Sequence, residues 1–373
     1  MKKHIFDISI ITIIAALLFS LGAGVFVPRK SNFSEDENRI LSTLHKPTLK
    51  EISDGSFSED LGKLFRDRLP FRRAFLQTRS CSELLLGKGE SNGVVFADDG
   101  YLLQRGEYGS YGLAVKNLEY FSKLEDMCKE RGKPFICALA PRGIDVMCGK
   151  LPKNYSGHSG EIWEVAQRSS ANFIDLTPAL SQAAERGEQV WYRTDHHWTT
   201  LGAYTAYVAL SEGLGYIPYA EECFVRETVG EGFLGSVYSS AGCVAFAADS
   251  IELYRYEGDT NYTVEISESG EIHKGFYFHE RLSAKDKYLV FLGGNYAELT
   301  VRVSGNEKRE RLLLIKDSYA NSLVPFLSLH YDIELIDLRY FNGGKDRLYE
   351  KISEADKILF LHGIDTVATT ALY

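Results

Sequence analysis

Residues 312–321 read Leu-Leu-Leu-Ile-Lys-Asp-Ser-Tyr-Ala-Asn. The first four are aliphatic with no polar alternation, the pattern of a strand covered on both faces. The run leads directly into Asp317-Ser318 and then into Leu323, Val324, Phe326 and Leu327, which read as a helix. Pro325 must lie in the first turn of that helix or kink it. Four more apolar runs of this kind occur at 134–140, 171–176, 333–338 and 358–361. Helical patterns lie between them: Leu118, Phe121, Leu124 and Cys128 share one helix face, and Gly132 is a natural stop. Five doubly covered strands among helices predict an α/β fold, a three-layer sandwich around a mostly parallel sheet.

The pattern changes between about 215 and 305. Segments such as IELYRY, YTVEIS, GFYFHERL and KYLVFLGG are rich in Tyr, Val, Phe and Ile and are separated by Gly, Asp, Asn and Ser. They predict a β-rich insertion between two parts of the sheet. Upstream, VVFADDGYL reads as a strand, an Asp-Asp-Gly turn and a second strand. Residues 31–105 are therefore expected to form a stalk ending in an edge hairpin, and residues 106–373 the main domain.

At the N-terminus Lys2 and Lys3 precede an uncharged run over 8–27, closed by Pro28, Arg29 and Lys30. Roughly 20 residues at about 1.5 Å each match a hydrocarbon core of about 30 Å. Residues 1–30 thus read as a single-pass membrane anchor, with the body outside the cytoplasm. Small residues Ser20, Gly22, Ala23 and Gly24 leave a cleaved signal segment open. A net charge of −9 suits a phosphate backbone poorly, so nucleic acid is not an expected partner. None of the six cysteines forms a C-x-x-C pair, which argues against a zinc knuckle or redox motif. Cys128 and Cys137 read as small buried hydrophobes, and Cys223 and Cys243 could pair.

Two stretches carry chemistry. The first is Thr194-Asp195-His196-His197-Trp198, followed by a helix face of Leu201, Tyr204 and Val208 that Thr199 or Thr200 can cap. An Asp two residues before a His can accept a ring N–H and fix the tautomer. The plainer alternative is a capping Asp with surface histidines. Two histidines and an Asp are also ligand types, but His158, His273, His279 and His330 offer no matching spacing, so neither metal nor cofactor is expected. The second stretch is Asp317-Ser318, at the C-terminal end of a sheet strand, where catalytic groups of open α/β sheets gather. A helix N-terminus there would offer free N–H groups to an oxyanion; the plainer alternative makes Ser318 an N-cap. Together they predict a triad of Ser318 as nucleophile, His197 as base and Asp195 as orienter. Adjacent side chains of an extended loop point to opposite sides, so His196 and His197 are not both expected to address Ser318. Arg142 and Arg339 follow strands and could hold a sugar or carboxylate, although surface arginines are the plainer reading. Gly294 and Asn295 end another apolar run and offer N–H groups or a simple turn. Trp198 is expected to pack beneath the motif.

These residues carry a resemblance. TDHHW, the strand ending in KDSYANSLVPFL, and YDIELIDLRY resemble the DHHW family. That family is similar to the periplasmic acyltransferases of alginate O-acetylation, which have an SGNH-hydrolase-like fold. Their Asp-x-His-Trp signature falls on Asp195, His197 and Trp198, with His196 in the variable position. Their Gly-Asp-Ser motif falls on Lys316, Asp317 and Ser318, with Lys316 in place of Gly, a change that bears on oxyanion or substrate contacts. The resemblance implies O-acyl transfer, acetyl in the first instance, to a cell-surface or exported polysaccharide. It implies a membrane-bound acyltransferase as acyl donor. A carbohydrate acetylesterase using the same triad is the first alternative, and a catalytically silent, anchored glycan-binding or scaffold module the second.

Overall fold

The computed structural model describes all residues except 1, 29–31, 35–38, 107–110, 158, 170–171, 243–245, 306–307 and 373, and the backbone alone of 2–7, 33–34 and 39–40. Cys243 and His158, both singled out above, lie outside the described residues. The chain divides into two compact units, one formed by residues 1–88 with 242–245 and one by the remainder.

The smaller unit holds helix α1 (Lys2–Gly24), a short pair β1 (Phe33–Ser34) and β2 (Arg39–Ile40), and helices α2 (Leu49–Ser53), α3 (Ser56–Arg68) and α4 (Arg72–Leu85). Thr48 and Glu51 form a capping box at α2, each satisfying an N–H of the first turn. The uncharged run does not stay helical to Val27, because α1 ends at Gly24 and residues 25–26 form a turn. From Ile8 to Gly24 the rise is about 26 Å, short of a hydrocarbon core of about 30 Å. Among the described residues no helix is long and apolar enough to cross a membrane, so the expected transmembrane span is not supported.

The larger unit opens with the hairpin read from VVFADDGYL. Strands β3 (Glu90–Ser91), β4 (Val94–Phe96) and β5 (Leu102–Gln104) form an antiparallel sheet, with Val95 opposite Leu103. There follow α5 (Tyr111–Glu130), β6 (Phe135–Ala140), α6 (Gly143–Val146), α7 (Gly160–Ser169), β7 (Phe173–Asp175), α8 (Thr177–Glu185) and α9 (Thr200–Leu214). Next come β8 (Val225–Phe233), α10 (Ser236–Ala241), β9 (Asp249–Arg255), β10 (Tyr262–Ile266), β11 (Glu271–Lys274) and β12 (Glu298–Val303). The chain closes with β13 (Glu310–Lys316), α11 (Val324–Leu327), β14 (Tyr331–Ile336), α12 (Gly344–Glu354), β15 (Lys357–Gly363) and α13 (Ile364–Thr369).

Eight strands form the main sheet in the order β11-β10-β12-β14-β13-β15-β6-β7. The five apolar runs are its parallel part, from β14 to β7. Beyond β14 the sheet turns antiparallel: Leu299 of β12 faces Leu335 of β14, and β10 and β11 follow as an antiparallel pair. The sheet is therefore mixed rather than mostly parallel. The cause is that part of the 215–305 segment extends the sheet edge by antiparallel pairing, while β8 and β9 pair separately.

Alternation along β13 explains the three layers. Leu312 and Leu314 face one core with Ala203, Ala206 and Leu210 of α9. Leu313 and Ile315 face the other with Phe121 of α5 and Ile352 of α12. Both sides of the strand are fully buried, which is why it reads as a continuous apolar run. Leu314→Ala should cost about 2–5 kcal/mol of unfolding free energy in denaturant titration; a loss below about 1 kcal/mol would show that this strand is not central to the core.

Candidate active site

The loop from Trp191 to Trp198 closes on itself through an antiparallel bridge between the two tryptophans. Buried Asp249 pins its middle, accepting from Thr194 N at 2.8 Å, Thr194 Oγ1 at 2.6 Å and Arg193 N at 3.1 Å. Thr199 caps α9, accepting from Gly202 N at 3.1 Å. Asp195 and His197 are thereby held in fixed, buried positions.

His197 Nδ1 lies 2.6 Å from Asp195 Oδ1, and His197 Nε2 lies 2.8 Å from Ser318 Oγ. The second Asp195 oxygen accepts from Ser236 N at 2.7 Å and Ser236 Oγ at 2.9 Å. Burial works to raise the Asp195 pKa, but the His196 and His197 imidazoles and the hydrogen bonds from His197 and Ser236 hold it well below the usual carboxylate range. Burial pushes His197 down to about 4, with the neighbouring His196 acting in the same direction and Asp195 opposing both. Neutral His197, donating from Nδ1 to Asp195, presents a lone pair at Nε2 to the Ser318 hydroxyl. Ser318 is half-buried and so can be reached from solvent.

The expected helix after Ser318 is shorter and tighter than the sequence suggested. Ser318–Ser322 form a 3-10 turn, and Pro325 sits at the start of the one-turn α11. Asp317, not Ser318, is the cap, accepting from Tyr319 N at 3.1 Å. That N–H is therefore already occupied. The other Asp317 oxygen accepts from Gly363 N and Thr366 Oγ1, each at 2.7 Å, and ties the ends of β13 and β15 together.

The remaining expected residues separate into three groups. Trp198 is fully buried and donates from Nε1 to Tyr319 O at 3.1 Å and to Ser322 Oγ at 3.0 Å, locking one half of the site to the other. His196 is half-exposed and contacts Ser236 Oγ through Nδ1 at 2.6 Å, away from Ser318. Lys316 is fully buried; its ammonium donates to Asn321 Oδ1 at 2.8 Å and Asn295 Oδ1 at 3.4 Å, and burial pushes its pKa down to about 8. Gly294 supplies a carbonyl to Asn321 Nδ2 at 3.4 Å, so Gly294, Asn295, Asn321 and Lys316 form one polar cluster at the end of β13. Arg142 is buried on Asp365 at 2.6 Å, and Arg339 makes a two-pronged pair with Asp337 at 2.8 and 2.6 Å. Both arginines already serve carboxylates within the fold.

Three side chains went unread in the sequence. Ser236 satisfies the outer oxygen of Asp195. Tyr288 lies flat on the His197 ring, with centroids 3.8 Å apart and planes 7° apart. Tyr319 donates from its hydroxyl to His196 O at 2.6 Å. Nothing local marks Ser236 or Tyr288, since both come from the 215–305 segment and are brought in by tertiary packing. Asp195, His196 and His197 each bring a ligand-type atom within 4.8 Å of the others. A cation held there through His197 Nδ1 would have to displace the hydrogen bond to Asp195.

A profile of the family described as DHHW protein matches residues 179–336. The chain is similar to the DHHW proteins. A second profile, an SGNH hydrolase-like domain described as acetyltransferase AlgX, matches residues 94–222. Among curated proteins, a probable alginate O-acetylase AlgJ of Pseudomonas putida is 29% identical over 183 residues, which is 47% of each chain. The chain thus spans about half the length of that relative. Among solved structures, a DHHW family protein from Eubacterium siraeum superposes with a TM-score of 0.63 at 21% identity, covering 75% of this chain and 93% of the other. PatB1 of Bacillus cereus gives 0.63 at 20%, covering 75% and 98%. These likenesses establish the SGNH-like α/β fold.

Two measurements check the site. In a histidine-selective NMR titration, His197 should titrate near 4, staying neutral above that pH; a midpoint near 6.5 would contradict its burial. Gly235 is buried against Asp195, and a Cβ there would overlap the carboxylate. Gly235→Ala should therefore shift the His197 resonances and midpoint, and an unchanged titration would show that the loop accommodates the methyl group.

Proposed function

We propose that the protein is an O-acyltransferase, acetyl in the first instance, that modifies a polysaccharide through Ser318, His197 and Asp195. The observation that carries this reading is the continuous hydrogen-bonded chain from Asp195 through His197 to a reachable Ser318 hydroxyl, at 2.6 and 2.8 Å. Those are the distances a base needs to take the serine proton. The SGNH-like fold and the similarity to a probable alginate O-acetylase supply the reaction class.

In this mechanism Ser318 Oγ attacks the acyl carbonyl carbon while its proton passes to His197 Nε2. Asp195 fixes the tautomer and stabilises the imidazolium. The imidazolium returns that proton to the leaving group of the donor as the acyl-enzyme forms. A sugar hydroxyl then attacks the acyl-enzyme, passing its proton to His197. The tetrahedral intermediate collapses to the sugar ester, and Ser318 recovers its proton from the ring. Lys316 has no part in proton transfer here; its buried ammonium orders the Asn295 and Asn321 carboxamides beside the nucleophile.

The acceptor would be a cell-surface or exported polysaccharide and the donor a membrane-bound acyltransferase, which places the work at the cell envelope. Exposed apolar side chains along α1, among them Ile8, Ile11, Leu17, Leu18 and Phe19, support attachment of the chain to a membrane. Full-length protein should accordingly sediment with the membrane fraction, and its recovery in the soluble fraction would argue against attachment.

The activity test is direct. Purified protein is supplied with an activated acetyl ester and a panel of glycans, and sugar ester and free acetate are both measured. Sugar ester supports the transferase; acetate alone assigns an esterase using the same residues; neither product points to the silent glycan-binding module. Ser318→Ala should lower turnover on the order of 10³-fold or more, because the triad members act as a unit. A loss below tenfold would remove Ser318 from the nucleophile role.

A further inference from the structure

Tyr288 joins the two halves of the site from outside either motif. It belongs to a 3-10 turn, Lys287–Val290, whose N–H at Tyr288 is accepted by Asp286 Oδ1 at 3.2 Å. Its ring lies parallel to His197, while its hydroxyl donates to Ser318 O at 3.1 Å and meets Ser322 Oγ at 3.0 Å. Ser322 Oγ in turn accepts from Trp198 Nε1 at 3.0 Å. One buried side chain therefore touches the imidazole on its face and the nucleophile residue at its backbone. The imidazole also meets His196, with centroids 3.8 Å apart and planes inclined by 37°. Tyr319 approaches edge-on at 5.2 Å.

A core aromatic needs only to fill space, and Phe291 at 5.1 Å and Tyr192 at 6.4 Å from Tyr288 do that. The 7° stack does more. It leaves the imidazole free to move only within its own plane, along the line joining Asp195 Oδ1 and Ser318 Oγ. The face of a phenol ring is the negative end of its quadrupole and attracts a cation placed over it. His197 becomes such a cation when it accepts a proton.

We propose that Tyr288 is a positioning residue for His197, holding the ring in the plane of proton transfer and favouring the imidazolium formed when Ser318 gives up its proton. The proposal rests on the acyl-transfer reading for its catalytic consequence, but not for its effect on the imidazole itself. The groups that bear on the His197 charge are Asp195 and Asp317, which favour it, and His196, which opposes it. Asp195 meets the ring at Nδ1, whereas Tyr288 covers its face.

The test uses the full chain with three replacements at position 288. Tyr288→Phe keeps the ring and loses the hydroxyl; Tyr288→Leu loses the ring; 3,4,5-trifluorophenylalanine keeps the shape but weakens the negative face. The His197 midpoint is followed by NMR without substrate, and kcat and KM are measured with the activated acetyl ester. In Tyr288→Leu the midpoint should fall by about half a unit or more, and kcat by about tenfold or more, with KM changed less than about threefold. Tyr288→Phe should hold the midpoint and keep kcat within about fivefold. The fluorinated ring should lower the midpoint while thermal unfolding stays unchanged, so the outcome stands even where Tyr288→Leu fails to fold. An unmoved midpoint in the fluorinated protein overturns the proposal, whatever happens to activity. A shifted midpoint in the fluorinated protein, where the wild-type protein transfers no acetyl group, upholds the clamp and removes the reaction reading instead.

Discussion

A carboxylate buried as deeply as that of Asp195 survives in its charged form only where donors replace the lost water. Four donors converge on it: His197 N and Nδ1 on one oxygen, Ser236 N and Oγ on the other. Removing any of them leaves part of a buried charge unpaired, so the loop before α9 and the start of α10 are bound to one geometry. The Trp191–Trp198 bridge and the Asp249 anchor hold the same loop from behind. The position of the His197 ring, and hence of its Nε2, follows from that set.

The sheet supplies the other half. β13 is buried on both faces, so Ser318 is delivered at a strand end that cannot slide without exposing apolar side chains. Asp317 then turns the chain sharply, capping the 3-10 turn with one oxygen and gripping Gly363 and Thr366 with the other. Burial acts to raise its pKa, while His362 and Arg339 nearby and the bonds from Thr366 and Gly363 bring it below the usual range. Two buried acids thus position the two side chains, Asp195 holding His197 and Asp317 holding the turn that carries Ser318. Lys316, in the place where the resembling acyltransferases have Gly, is buried beside them and serves the Asn295–Asn321 cluster.

The 215–305 segment is more than a decoration of the sheet edge. It brings Ser236 to Asp195 and Tyr288 to His197, and it extends the sheet through β12, β10 and β11. The stretches GFYFHERL and KYLVFLGG have the composition of strands, yet 279–283 and 287–290 are 3-10 turns, with Tyr277 and Phe291 joined by a single bridge. Their aromatic residues are committed to packing around the site instead of to a ladder. Strand propensity of such residues reflects burial against neighbours, and neighbours can be met without a strand.

What the sequence determined by itself was the part carried by local pattern. The five apolar runs became the five parallel strands; β6, β13 and β15 are buried at consecutive positions, and a strand covered on both faces must be apolar there. The Thr199 cap and the VVFADDGYL hairpin followed from short-range hydrogen bonding. Asp195, His197 and Ser318 were legible because spacing and strand-end position are local signals. Only the tertiary structure decided that the sheet is mixed and that the helical run at the N-terminus stops at Gly24. It also decided the use of Arg142 and Arg339, each consumed by a neighbouring carboxylate. Tyr288 and Ser236 were illegible for one reason: they lie about 40 residues or more from the motif they complete, and a contact across that distance depends on how the chain packs, which no run of neighbouring residues records.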